Sequence, residues 1–202
     1  VTDYGVAEAT TAATFYTAAL YQDFGKAMIG SQRPKGLKKA ELEQYNVMLE
    51  EQAFPFEEKA IELHEANAKR STLGLYDEWV RKSFESLSKL KPGRWGKAER
   101  EDGALALNQK GIEARRAGRF ADAKAAYEEA IAADPKAAAP LLNLAILNDL
   151  YLADNAKALE FYERYLALAN PPDATVAKWA TELKNRKPAA VAAGAAPKKE
   201  TP

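Results

Sequence analysis

The side chains that could catalyse a reaction in this sequence do not form a recognisable set. His64 is the only histidine, and it lies in the stretch IELHEANAKR beside Glu62 and Glu65. A metal site needs several ligands on one face, and the HExxH arrangement that binds zinc on a helix is absent, so no metal site is predicted. We expect His64 to lie on a helix at a surface or an interface, where it titrates near neutral pH.

A group of glutamates surrounds two phenylalanines in the stretch EEQAFPFEEK, residues 50–59. Paired carboxylates can act as general acid and base. These glutamates flank the start of a helix instead, where negative charge is favourable. We therefore expect no catalytic role for them, and we expect Phe54 and Phe56 to pack at a bend of the chain.

Other signatures of chemistry are also missing from the sequence. The chain has no cysteine, which excludes disulfides, zinc–thiolate sites, iron–sulfur clusters and cysteine nucleophiles. It has no glycine-rich phosphate loop, no dinucleotide-binding fingerprint and no recognisable Ser/His/Asp arrangement. The sequence predicts a protein that is not an enzyme and needs no cofactor.

The composition argues against nucleic acid as a partner and against a membrane span. Lys plus Arg and Asp plus Glu each number 29 among 202 residues, so the formal net charge is zero. Nucleic-acid binders gain most of their affinity from phosphate neutralisation, so this balance argues against nucleic acid as the partner. The stretch GRWGK at 93–97 could stack on a base, but a linker whose Trp95 packs on the next helix is the simpler interpretation.

No run of 18 apolar residues occurs, so no membrane span is predicted.

The elements that must position these side chains are predicted to be helices only. Apolar residues recur at steps of three, four or seven, and no stretch alternates as a strand would. The predicted helices cover about 2–30, 37–70, 74–90, 102–117, 120–133, 137–151, 155–169 and 173–187. Pro55 lies inside the second helix and predicts a kink there, or a new helix.

Residues 104–170 contain two units with the spacing of a repeated helical hairpin. In the first unit, small, aromatic and proline residues fall at fixed intervals, at Gly111, Gly118, Phe120, Ala123, Tyr127, Ala130 and Pro135. The second unit follows about 34 residues later, with Leu141, Leu144, Ala145, Ala158, Tyr162, Tyr165 and Pro171. Both units resemble tetratricopeptide (TPR) repeats, although Lys110 departs from the usual leucine. In such repeats Gly111 would let the paired helices approach closely.

The resemblance implies an all-α, TPR-type helical-hairpin solenoid with a C-terminal capping helix. Its parts would be elongated, divergent TPR-like helices at 1–92, a linker or turn at 93–103, two TPR repeats at 104–170, the capping helix at 171–187 and a disordered tail at 188–202. Stacked hairpins bury a continuous core and leave an extended concave surface, which suits recognition rather than chemistry.

A TPR array also implies a concave groove that binds a protein or peptide ligand. By repeat position, the residues expected to face it are Leu105, Asn108, Ile112, Arg115, Arg116, Leu142, Asn143, Ile146, Asp149 and Lys178. The alternative for the two arginines is a solvated helix end. Some TPR domains hold a terminal carboxylate with Lys, Asn and Arg. Asn143 and Lys178 match such a clamp, whereas the first unit departs from it.

The N-terminal half carries a wider resemblance. The stretches FPFEEKAIE at 54–62 and YDEWV at 76–80 are similar to a block in the C-terminal part of large proteobacterial cell-envelope TPR proteins, which include the gliding-motility type of myxobacteria. This resemblance implies a scaffold in a periplasmic or outer-membrane-associated assembly, with motor components of the TolQ/ExbB type as possible partners. The lack of cysteine fits the cytoplasm equally well. The alternative function is a structural self-association module that uses the aromatic-rich helices 2–30 and 37–70.

Overall fold

A computed structural model describes residues 2–101 and 106–186 of the chain. All regular structure in these residues is helical, and none of them lies in a strand, so the predicted all-α class is confirmed. The helices are α1 (Thr2–Ile29), α2 (Lys39–Lys69), α3 (Glu78–Leu90), α4 (Pro92–Trp95), α5 (Ala106–Arg116), α6 (Phe120–Ala133), α7 (Ala138–Ile146), α8 (Asn155–Leu168) and α9 (Ala174–Asn185). A 3₁₀ turn at Arg70–Leu73 follows α2, and a π-helical turn at Leu147–Leu152 continues α7. The predicted tail lies outside the described residues.

Helices α1 and α2 form a long antiparallel hairpin. Near its base, the Asn67 side chain at the end of α2 donates to the Thr11 carbonyl near the start of α1, at 2.9 Å. Pro55 lies inside α2, which continues through it as one helix, so no new helix begins there. Phe56 packs on Phe24 of α1, with ring centroids 4.6 Å apart. Phe54 is 58% exposed, so the expectation that it packs inside a bend is wrong.

Helix α3 begins four residues later than the spacing predicts, and local geometry explains why. Gly74 has a φ of 80°, a left-handed conformation that ends the preceding 3₁₀ turn and suits glycine. Asp77 then caps α3, because its carboxylate accepts hydrogen bonds from the main-chain N–H groups of Trp79 and Val80. The helix therefore starts at Glu78, directly after the cap.

The C-terminal part consists of two helical hairpins, α5 with α6 and α7 with α8, and α9 packs on α8. Their interior is built around tyrosines and aliphatic side chains, and Tyr127, Tyr162 and Leu144 are fully buried. The same apolar core includes Phe84 and Leu87 of α3. Both halves of the chain therefore share one core.

His64 lies in a buried polar cluster between α1, α2 and α3. It is 0% exposed, and its Nδ1 lies 3.3 Å from the Ser83 hydroxyl, which also accepts a hydrogen bond from Asn67. Burial lowers the pKa of His64 to about 4, so the expectation that it titrates near neutral pH is wrong. Because His64 and Ser83 are both inaccessible, the pair cannot reach a substrate, and we assign it to packing.

A groove filled by residues 96–101

Residues 96–101 leave the end of α4 without helical structure and cross the surface of α5 and α7; we call them the strap. Lys97 contacts Asp149, and Arg100 contacts Asn143. Lys97 precedes Arg100 in the strap, whereas Asp149 follows Asn143 along the chain, so the strap runs antiparallel to α7. At Arg100 the strap is extended, because the N–H and the carbonyl of this residue both face the Asn143 side chain.

The first anchor of the strap is an ionic cluster around Asp149. Lys97 forms an ion pair with the Asp149 carboxylate, and both side chains are 0% exposed. Arg94 and Arg186 also contact this carboxylate, at 3.1 and 2.8 Å. Burial would raise the pKa of Asp149, but the positive charges of Arg94 and Lys97 outweigh it and hold the pKa below its usual value. Asp149 is thus a buried carboxylate with three cations around it.

The second anchor is Glu99 of the strap. Its carboxylate accepts hydrogen bonds from the Arg115 guanidinium, with Nε at 3.0 Å, and from the Tyr127 hydroxyl at 2.6 Å. Arg115 also lies over the ring of Tyr151, 5.6 Å from its centroid. The alternative that Arg115 belongs to a solvated helix end does not describe this packing.

The third anchor is a pair of asparagine side chains that bind the strap's main chain. The Arg100 N–H donates to Asn143 Oδ1 at 2.7 Å, and Asn143 Nδ2 donates back to the Arg100 carbonyl at 2.9 Å. Asn108 Nδ2 donates to the same carbonyl at 3.1 Å. The two amides are also joined to each other, because Asn143 Nδ2 donates to Asn108 Oδ1 at 3.0 Å. We call these two amides the asparagine clamp, and they bind main-chain groups. The Arg100 side chain is held as well, because its guanidinium donates to the Tyr165 hydroxyl at 2.7 Å.

The structure brings together part of the predicted groove. Asn108, Arg115, Asn143 and Asp149 all contact the strap, and we call the surface they form the groove. Three predicted apolar members are buried in the core, and they are Ile112, Leu142 and Ile146. Arg116 contacts the strap at its exposed end, where it pairs with Glu101. The other two do not join the groove: Lys178 is exposed on α9, and Leu105 lies outside the described residues.

The sequence did not reveal what fills the groove. Lys97 and Glu99 were part of a predicted linker, because glycines and a proline precede them and charged residues usually face water. The sequence shows a cation followed two positions later by an anion, but nothing in that spacing points to Asp149, 52 residues after Lys97, or to Arg115, 16 residues after Glu99. Trp95, in the same stretch, packs edge-on against Phe84 of α3, the helix before it.

One side of the strap remains open as a cleft of about 830 Å³ between α3 and α5. Four aromatic rings line it, from Tyr76, Phe84, Trp95 and Tyr151. Charged side chains also line it, and they are Arg81, Glu85, Lys97, Glu99, Glu101, Arg115 and Arg116. Among the described residues no group of three or more metal-ligating side chains occurs. Aromatic residues and arginine are enriched at protein–protein interfaces.

Searches of protein-family models, curated protein sequences and solved structures found no match to this chain. Within residues 2–101 and 106–186, no helix has both the length and the apolar character needed to cross a membrane. The interpretation of the groove therefore depends on its own contacts.

Proposed function

We propose that this chain is a non-enzymatic protein-interaction module, and that its C-terminal hairpins form TPR-type repeats whose groove binds an extended segment of a partner protein. The observation that carries this proposal is the clamp on Arg100. Asn143 and Asn108 satisfy both main-chain groups of one extended residue, which is how a groove recognises a peptide rather than a folded surface.

The charged groups of the groove support binding rather than catalysis. Asp149 is surrounded by three cations and is fully buried, so it is held as a fixed anion and has no free position for proton transfer to a substrate. Arg115 is likewise held by a carboxylate and an aromatic ring. A scaffold in a bacterial envelope assembly, with motor components of the TolQ/ExbB type as partners, extends this proposal and rests on the sequence resemblance alone.

Photo-crosslinking in the native cells tests the groove as a binding surface. A crosslinking amino acid at Arg116, on the open cleft beside the strap, is expected to capture one partner through an unstructured segment. The matched control is the same amino acid at Glu128, an exposed residue of α6 that does not line the cleft. Equal capture from both positions, or none from Arg116, would show that this surface does not bind a partner.

A second candidate function is self-association through α1 and α2, and a specific observation favours it. Most of the exposed large apolar side chains of the described residues lie on this hairpin: Val6, Tyr16, Leu20, Phe24, Ile29, Val47, Met48 and Phe54. On α1, three of them follow each other at steps of four and so form one stripe. A contiguous exposed apolar stripe marks an interaction site, and a second copy of the same hairpin would cover it.

Replacing Leu20 and Phe24 with glutamate is expected to keep the chain monomeric at concentrations where the wild type dimerises. Light scattering coupled to size-exclusion chromatography measures the mass at rising protein concentration. Leu73→Glu is the matched control, because Leu73 is 83% exposed but lies outside the hairpin. A wild type that stays monomeric at high micromolar concentration would exclude self-association as the function.

A further inference from the structure

We infer that the strap occupies the groove in place of a partner's peptide, and that the groove selects an extended peptide in which a basic side chain precedes an acidic one by two positions. The inference rests on the proposed function. It adds the chemistry of the ligand and a segment of the same chain that competes with the ligand for the groove. Three features support the inference: the side-chain anchors of the strap, the charges of the groove without the strap, and the covalent attachment of the strap beside the groove.

The strap is held almost entirely by side chains. Between described residues, positions 97–101 form no backbone–backbone hydrogen bond, so the strap belongs to no helical ladder. Its anchors are the ion pair of Lys97, the hydrogen bonds of Glu99 and the asparagine clamp on Arg100. The Arg100 guanidinium also donates to Tyr165, and Glu101 pairs with Arg116. Its release would therefore break side-chain contacts and leave the hydrogen bonds within α5, α6, α7 and α8 intact. We therefore expect the strap to open locally, without unfolding of the whole chain.

Without the strap, the groove would present its charged groups in a defined order. Asp149 supplies an anion at one end, and Arg115 supplies a cation on the neighbouring helix. The amides of Asn108 and Asn143 face the main chain of the residue that follows the acidic one. A peptide with Lys or Arg, any residue, then Glu or Asp satisfies these groups in the same order as Lys97, Ala98 and Glu99 do. Such a peptide also supplies a carboxylate to Arg115, which would otherwise lose its partner Glu99. It supplies a third cation to Asp149, which keeps Arg94 and Arg186.

The strap competes with any such peptide because it is covalently attached beside the groove. A tethered segment acts at a high effective concentration, of the order of millimolar for short connections. A partner binds only the fraction of molecules in which the strap is released, so its apparent affinity falls by that fraction. The wild-type chain is therefore expected to bind a free copy of the strap weakly, and a chain with a weakened strap is expected to bind it well.

A peptide-binding experiment on the full chain tests this inference. The probe is a fluorescent peptide with the strap sequence GRWGKAERE, residues 93–101, and the comparison peptide is GRWGEAKRE, in which the two charges are exchanged. Lys97→Glu places an anion beside Asp149 and so weakens the strap. This variant is expected to bind the first peptide at least about tenfold more tightly than the wild type does, and to discriminate against the second. Lys157→Glu, an exposed charge reversal on α8, is the matched control and should behave as the wild type.

Hydrogen exchange on the wild-type chain keeps the inference testable even where Lys97→Glu fails to fold. Amides of 97–101 are expected to exchange through local opening, well before those of α6 and α7. Exchange of the strap only with global unfolding would overturn the inference, because the strap would then be a fixed part of the core. Equal binding of both peptides, or of neither, by a folded and opened variant would overturn the charge order. In each of these cases, capture of a partner from Arg116 would still support the proposed function.

Discussion

Replacing Asp149 with asparagine is expected to lower the free energy of unfolding by about 3–5 kcal/mol, because it removes the buried carboxylate that contacts all three cations. Lys97 has no solvent exposure to compensate for the loss, and Arg94 and Arg186 are largely buried. Asparagine keeps the shape of the side chain, so the change reports the charge rather than a cavity. Urea denaturation followed by far-ultraviolet circular dichroism measures the effect.

Lys97→Met is the control for this prediction, and its effect should be much smaller. Asp149 would keep Arg94 and Arg186, and a well-packed apolar side chain can replace one member of a buried ionic cluster at a cost of less than about 1 kcal/mol. In the double variant, the loss caused by Asp149→Asn should be partly recovered, because one uncompensated cation is gone. Strict additivity of the two changes would mean that the charges do not interact, which contradicts the cluster as described.

Gly111→Ala is the second change with a large expected effect, a loss of about 3 kcal/mol in the free energy of unfolding. A Cβ at this position would lie 2.5 Å from Cδ1 and 2.8 Å from Cζ of the Tyr127 ring. The ring cannot easily move aside, since Tyr127 is fully buried and its hydroxyl donates to Glu99. Chemical denaturation measures the loss, and the strap should exchange faster in the same variant because its second anchor is disturbed.

Two comparisons separate this clash from a general effect of removing glycine. Gly93→Ala is the matched control, because a Cβ there meets nothing within 4 Å, and its effect should stay within about 0.5 kcal/mol. Tyr127→Leu should make Gly111→Ala better tolerated, because the shorter side chain leaves room for the methyl group. A Gly111→Ala protein as stable as the wild type would show that α5 and α6 can separate without cost.

The contacts that the sequence predicts well are those set by spacing within and between neighbouring helices. The close approach at Gly111 follows from the hairpin pattern, and the structure places the Tyr127 ring against it. The bounds of α6 agree with the predicted 120–133, because Gly118 and Arg119 separate it from α5 and Asp134 follows its last residue. Such features depend on local propensity and on a period of 3.6 residues, and a single sequence carries both.

The features that the sequence does not predict depend on contacts between distant segments. Whether Lys97 faces water or Asp149 is decided by how α7 packs beside the strap, and periodicity says nothing about that packing. His64 is a similar case, since its burial needs Phe15 of α1 and Ser83 of α3. The predicted groove included several residues that contact the strap, but the same prediction treated 93–103 as a linker.

The position of the strap along the chain also determines when the groove can first be occupied. Synthesis proceeds from the N-terminus, so residues 96–101 leave the ribosome before α5 and α7 do. The two helices therefore fold in the presence of a segment that already fits between them. In a newly made molecule the groove is therefore never present without the strap. On the inference above, a partner would have to displace a segment that is already bound.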